Sequence, residues 1–410
     1  MKKNIVIFLS IFLIKNFAAA VIDNRYFPWN NPPIIHTLEP YSGLRGDLFF
    51  VNGNDAFGDH SHEKKGIPEI WGLYDQKQMS DAIIFIGETS PLLAQWQILR
   101  NITWHVKQKL EGQGLQFSGE HALYKGLSFG YSTGFMHLFS DQIFVIPRSV
   151  ITEMTLSVAQ QEELDRERRA MFNQLGLTSS QWSTYGFLDT VLYARYGKTW
   201  EYKAKCREIS LSLLGGVIVP SGQKRDFFNT ASVPFGGNGA TGFFIGTDNT
   251  FELKEDMTFG LSLQLTTRLT KKMKERLPVI QENYLFGALS GNVSVDPGVT
   301  TKIKPYLMLG NIRDGLDICV QYAYTNHSGD DWTDIRQDAT IPSNLNGMFK
   351  KSQWESDYVS LTVLYDSGKV VKCDSLRPSL RFSWDIPMRL LSAHEVSKTN
   401  AVSLGIEVCF

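Results

Sequence analysis

The densest run of reactive side-chain types is YTNHSGDDW, Tyr324–Trp332, in which His327, Ser328, Asp330 and Asp331 nearly adjoin. A serine nucleophile, a histidine base and a polar group to orient the base would make an acyl-ester hydrolase, given a cation to steady the oxyanion. That chemistry needs His and Ser on one face, and adjacent residues of an extended chain point to opposite faces. The run therefore reads as the start of a solvated loop whose aspartates bind Ca²⁺ weakly at best. The eight histidines and four cysteines show neither C-x-x-C nor H-E-x-x-H spacing, so no metal centre and no cofactor is expected.

A second set of ionisable residues recurs at a spacing of two. Leu376, Pro378, Leu380, Phe382, Trp384 and Ile386 alternate with Arg377, Ser379, Arg381, Ser383 and Asp385. Phe259, Leu261, Leu263 and Leu265 likewise oppose Gly260, Ser262, Gln264 and Arg268. This is the period of a strand with one apolar and one polar face. Applied along the chain, parity gathers His105, Lys107, Lys109, Glu120, Asp189, Arg195, Glu208, Lys302, Lys304, Asp317, Arg377, Arg381, Asp385 and Glu407 on one side. Both signs are interspersed, which predicts an interior of mutually satisfied charges. Asp189 with Arg195 or Arg381 is the candidate for a constriction.

The elements that must position these side chains are strands of about ten residues. The last is the clearest: Phe410, Val408, Ile406, Leu404 and Val402 fall on one face, and Cys409, Glu407, Gly405, Ser403 and Ala401 on the other. Counting back, candidate strands lie at 376–386, 356–365, 316–325, 301–311, 258–269, 241–252, 207–219, 186–196, 127–138, 115–123 and 98–110, with weaker ones at 80–87 and 43–52. That makes 12 to 14 strands, the lower number if the two weak candidates belong to an N-terminal plug. Links near Gly368, Arg313–Gly315, Lys254–Asp256, Gly197 and Tyr124–Gly126 are short. Those between them, 387–399, 326–355, 270–300, 220–240 and 139–185, are long and polar. A soluble sandwich has no reason to sort its links by length on alternate ends, whereas a membrane barrel does. One outer link carries a helical pattern, about 157–175, opened by the capping box Ser157–Gln160 and closed by Gly176.

The chain opens with a basic pair, Lys2 and Lys3, an apolar stretch Ile5–Ile14 and the small residues Ala18, Ala19 and Ala20, the pattern of a secretory leader cleaved after residue 20. No later segment approaches the roughly 18 apolar residues of a membrane helix. A membrane protein without such helices must be a closed barrel. The fold class is therefore all-β, a transmembrane antiparallel barrel over residues 43–410, with residues 21–42 as a periplasmic segment suited to plug the lumen. Composition agrees: 43% hydrophobic residues, 12% aromatic residues and 34 glycines. With 41 basic against 42 acidic side chains, nothing points to nucleic acid.

The terminal alternating strand resembles the C-terminal signal of bacterial outer-membrane β-barrels, which implies an outer-membrane location, contact with outer-membrane lipid and lipopolysaccharide, and Phe410 as a signal read by the barrel-assembly machinery. The segment Tyr185–Gly222, YGFLDTVLYARYGKTWEYKAKCREISLSLLGGVIVPSG, resembles the central signature of outer-membrane proteins of the meta-pathway phenol-degradation type, related in kind to the fatty-acid channels. Gly186, Asp189, Pro220, Ser221 and Gly222 occupy its G-x-x-D and P-S-G places. The resemblance covers most of 98–410. It implies passive diffusion of small hydrophobic solutes through a narrow, obstructed barrel, and no enzyme. A water-filled general porin, a structural or adhesive surface barrel, and a rim-loop lipid hydrolase are the alternatives. Cys206, Cys319, Cys373 and Cys409 all fall near the predicted periplasmic end, an oxidising compartment. Cys373, in the last short turn, lies beside Cys409, and the two are expected to be able to form a disulfide.

Overall fold

The computed structural model describes residues 23–28, 42–58, 64–202, 206–370 and 377–410. The leader expected at 1–20 and the proposed partner Cys373 lie outside these residues. Twelve long strands form the wall: β1 (Gly43–Phe57), β2 (Thr103–Tyr124), β3 (Leu127–Val145), β4 (Thr190–Glu201), β5 (Glu208–Val219), β6 (Gly242–Lys254), β7 (Met257–Arg268), β8 (Thr300–Arg313), β9 (Leu316–His327), β10 (Trp354–Asp366), β11 (Arg377–Met388) and β12 (Val396–Cys409). Each pairs antiparallel with the next, and β12 returns to β1 from Gly43↔Cys409 to Phe57↔Val396. The ring is closed, so every strand edge within it is paired. The backbone N–H of Phe410 reaches the Ser42 carbonyl at 2.9 Å, just beyond the last ladder pair.

Short and long links alternate between the two ends. At the turn end, Gly126 and Gly315 close β2–β3 and β8–β9 with φ of 77° and 75°, a left-handed conformation that costs glycine nothing. The strand count is the lower of the two expected. Candidate strands 98–110 and 115–123 are one 22-residue strand, β2, because Gly112 and Gly114 stay in the ladder opposite Val51 and Phe49. This reverses the parity expected for His105, Lys107 and Lys109, which face outward and are exposed. The weak candidate 43–52 is a full barrel strand. The other, 80–87, is α-helix instead: α1 (Gln76–Phe85) is capped by Asp75, whose carboxylate accepts from the N–H groups of Lys77 and Gln78. Gly197 sits inside β4 opposite Ser212, and the turn follows at about residue 202.

The predicted loop helix is α2 (Val158–Gln174). Ser157 caps it, with Gln160 Oε1 accepting the Ser157 N–H at 2.9 Å, and Gly176 follows its C-terminus at φ 68°. Its apolar face, Leu164 and Met171, packs with Met79 and Ile83 of α1 and with Tyr74, Trp104 and Phe286. Arg168 lies over the Phe144 ring at 4.1 Å within the same cluster. The links at the loop end thus build a cap with a hydrophobic core of its own. Residues Lys271–Leu277, Leu289–Asp296 and Asp331–Asp334 add a small three-stranded sheet at that end.

Candidate functional site: an obstructed lumen

The inward faces of the strands divide the lumen into two tiers. Toward the turn end the tier is charged. Asp47 on β1 takes Arg45 and Arg381, both at 2.6 Å, with Asp47 and Arg381 almost wholly buried. Glu120 on β2 takes Arg195 at 3.5 Å and the Tyr193 hydroxyl at 3.1 Å. Tyr306 donates to Asp248 at 3.4 Å farther round the ring. Lys302 and Asp385 are buried on the same inner surface. The cleft left among Arg45, Glu120, Tyr193, Arg381 and Glu407 is only about 50 Å³, space for a few waters.

Toward the loop end the wall turns apolar. Phe49, Val51, Leu110, Met136 and Leu138 face inward, and three segments that are not barrel strands pack against them. Tyr26 and Phe27 come from the N-terminal segment, Ile67 and Ile70 from the link after β1, and Val233 and Phe235 from the link after β5. These links fold inward because their sequences bring apolar side chains that only the apolar tier can bury. Their backbone polar groups are met as well. Ser397 and Thr399 donate to the Tyr26 carbonyl, and Asn24 Nδ2 donates to the Pro234 carbonyl at 2.9 Å.

The link after β5 is held by one carboxylate. Asp189, with no exposed surface, sits at a bulge where Leu188 and Asp189 interrupt the wall between Gln181–Phe187 and β4. It accepts from Gly222 N at 3.1 Å, Gly237 N at 2.7 Å and Arg268 Nη1 at 3.2 Å. Ser221 Oγ donates to the Leu188 carbonyl at 2.8 Å, so the P-S-G sequence lies directly on the bulge. A Cβ at Gly222 would sit 2.6 Å from the Phe235 carbonyl oxygen, and one at Gly237 would enter the Arg268 guanidinium. At Gly222, where the obstacle is backbone, only glycine fits. Arg268 also donates to the Ala240 carbonyl at 2.9 Å, and Lys271 Nζ to that of Asn238 at 2.6 Å. Burial pushes the Lys271 ammonium down to about 8, partly offset by Glu275.

The outer surface of the ring is the opposite of the lumen. Leu44, Leu48 and Phe50 on β1, Leu380, Phe382 and Trp384 on β11, and Leu404 and Ile406 on β12 are all exposed. Tyr196, Tyr365 and Phe410 are exposed toward the turn end, where an aromatic girdle belongs. A closed ring with charge inside and a belt of apolar side chains outside is stable only in lipid. The chain is a bacterial outer-membrane β-barrel. Its turn end carries Phe410.

No family model and no curated protein matches the sequence. Among solved structures the chain is similar to an outer membrane channel from Pseudomonas putida F1, at 10% identity and a TM-score of 0.49 over 93% of this chain and 100% of that one. It is also similar to a mutant of the monoaromatic hydrocarbon channel TodX, at 9% identity and 0.36 over 90% of each chain. A third is a FadL homologue from Pseudomonas aeruginosa, at 8% identity and 0.33 over 90% of each.

The residues singled out in the sequence are distributed among these features. Arg195, Lys302, Arg381 and Asp385 are buried on the inner surface and Lys304 faces inward between them. Arg377 opens β11 opposite Cys409, and its side chain lies outside the described residues. Asp189 pairs with neither Arg195 nor Arg381; its partner is Arg268, while Arg195 takes Glu120 and Arg381 takes Asp47. His327 is engaged by Thr300 at 2.8 Å and Asp330 at 3.0 Å, whereas the Ser328 hydroxyl accepts from Val299 N at 2.8 Å. The two side chains thus have separate partners. The inward-folded links after β1 and β5 went unrecognised in the sequence. Their signal was the run ASVPFGGNG, Ala231–Gly239, which places apolar residues and paired glycines inside a link that reads as polar overall.

Proposed function

We propose that the chain is an outer-membrane channel for passive uptake of small hydrophobic solutes, closed at rest by the link after β5. The observation that carries this reading is the apolar tier. The wall surface formed by Phe49, Val51, Leu110, Met136 and Leu138 is covered by the side chains of loop segments, not by neighbouring barrel strands. A solute that displaces Phe235 and Val233 exchanges one apolar contact for another, at little cost in buried surface. A sugar entering the same tier would leave its hydroxyls without partners. In this reading residues 23–28 act as part of the plug, the paired charges below shape a narrow exit, and Phe410 serves the barrel-assembly machinery.

A water-filled porin is disfavoured by the same packing, since three segments that are not barrel strands fill the apolar tier. Entry of phenol, a medium-chain fatty acid and arabinose into proteoliposomes separates the two readings. Entry of the first two faster than into protein-free liposomes, with arabinose entry unchanged, supports the hydrophobic channel. Arabinose entry at the rate of an open porin rejects it.

A further inference from the structure

We propose that residues 389–392 form a lateral finger that inserts into the acyl chains of lipopolysaccharide in the outer leaflet. The wall pairs Asp357 with Met388 and then Glu355 with His394, so residues 389–393 leave the ladder entirely. They do not rise into the cap. Asp357 belongs to the outward row of β10, with Val359, Leu361 and Val363, and yet it has no exposed surface. What covers it is the backbone of the finger: its Oδ2 accepts from Leu390 N at 3.0 Å, Leu391 N at 2.8 Å and Ser392 N at 2.9 Å. The Tyr322 hydroxyl donates to Oδ1 at 2.7 Å. Four donors satisfy a carboxylate that would otherwise face the membrane boundary.

The same contacts fix where the finger points. With its N–H groups turned to the wall, Leu390 is 61% and Leu391 72% exposed, the latter among the most exposed large apolar side chains of the described residues. They continue the lipid-facing row of β11, Leu380, Phe382 and Trp384, past the end of the strand. The height is that of the outer boundary, one outward step above Val359 and one below Glu355, where the row turns charged. A pair of leucines held rigidly at that depth and continuous with an existing lipid contact fits the acyl chains of the outer leaflet.

Full-length protein carrying the photoactivatable residue benzoylphenylalanine in place of Leu390 or Leu391 tests this in the outer membrane of living cells. Positions 384, in the lipid-facing row, and 346, an exposed loop position, are the controls. Irradiation should give an adduct recognised by an anti-lipid A antibody from 390 and 391, at a yield within several-fold of that from 384, and none from 346. Absence of the adduct from both finger positions while 384 gives one would overturn the proposal, as would a finger adduct made to a protein alone.

Discussion

Asp189 Oδ2 accepts the backbone N–H of Gly237 at 2.7 Å, joining a bulge in the barrel wall to the far end of the loop that fills the lumen. The other carboxylate oxygen takes Gly222 at the near end, so one side chain fastens both ends of a sixteen-residue plug, residues 222–237. The wall and the plug are thus coupled through a single buried charge, balanced by Arg268.

Replacing Asp189 with Ala leaves Arg268 buried without its counter-ion, a loss of about 3–5 kcal/mol. At about 1.4 kcal/mol per factor of ten, amides of residues 222–240 should exchange with solvent two or more orders of magnitude faster, while those of β8–β11 keep their protection. Asp189→Asn, which retains an acceptor oxygen, should fall between. Equal acceleration across the whole wall would show that Asp189 supports the barrel and not the loop.

Gly222→Ala should reproduce the Asp189→Ala phenotype without removing any charge. Its Cβ would meet the Asp189 carboxylate at 2.7 Å as well as the Phe235 carbonyl, so the loop must move off the bulge. Ser179→Ala, in an exposed link, is the neutral comparison. Unchanged exchange in Gly222→Ala would mean that the loop accommodates a methyl group there.

Lys271 gives the latch a pH dependence. Its ammonium titrates near 8 in the closed form, below the ordinary 10.5, because burial disfavours the charge. Between about 8 and 10.5 the released loop binds more protons than the latched one, so latching strengthens as pH rises through that window. Protection factors of residues 222–240, corrected for intrinsic exchange, should rise from pH 7 to pH 9.5, and Lys271→Met should abolish the slope. A slope unchanged in that variant assigns the effect to another group.

How much of this was legible in the sequence follows from which signals are local. The strands declared themselves through period-two patterning, and the alternation of link lengths gave the barrel its orientation from Phe410. Gly112 and Gly114 misled, because glycines inside a ladder look like a turn until the partner strand is known; here they make room for Val51 and Phe49 of β1. Asp189 was visible as part of a motif, but its partner was not, since Arg268 lies 79 residues away and only the closed ring brings them together. Val233 and Phe235 were hidden for the same reason: an apolar pair in a long polar link has meaning only once there is a lumen for it to enter.

Phe410 separates folding from assembly. Its link to Ser42 uses the backbone N–H, which any residue supplies. Phe410→Ala should therefore refold in detergent to a heat-modifiable barrel with little change in stability, yet accumulate in the outer membrane at a several-fold lower level. Wild-type outer-membrane levels would show that the aromatic end is not an assembly signal.

The central claim is that the latched loop, together with the other inward-folded segments, obstructs the lumen of the barrel. It is tested most directly by single-channel conductance in planar bilayers, comparing the full-length protein with a variant whose residues 223–236 are replaced by a short Gly-Ser linker. The expected result is a silent or barely conducting full-length barrel and long-lived open events in the variant. A large, steady conductance in the full-length protein, or no difference between the two, would contradict it.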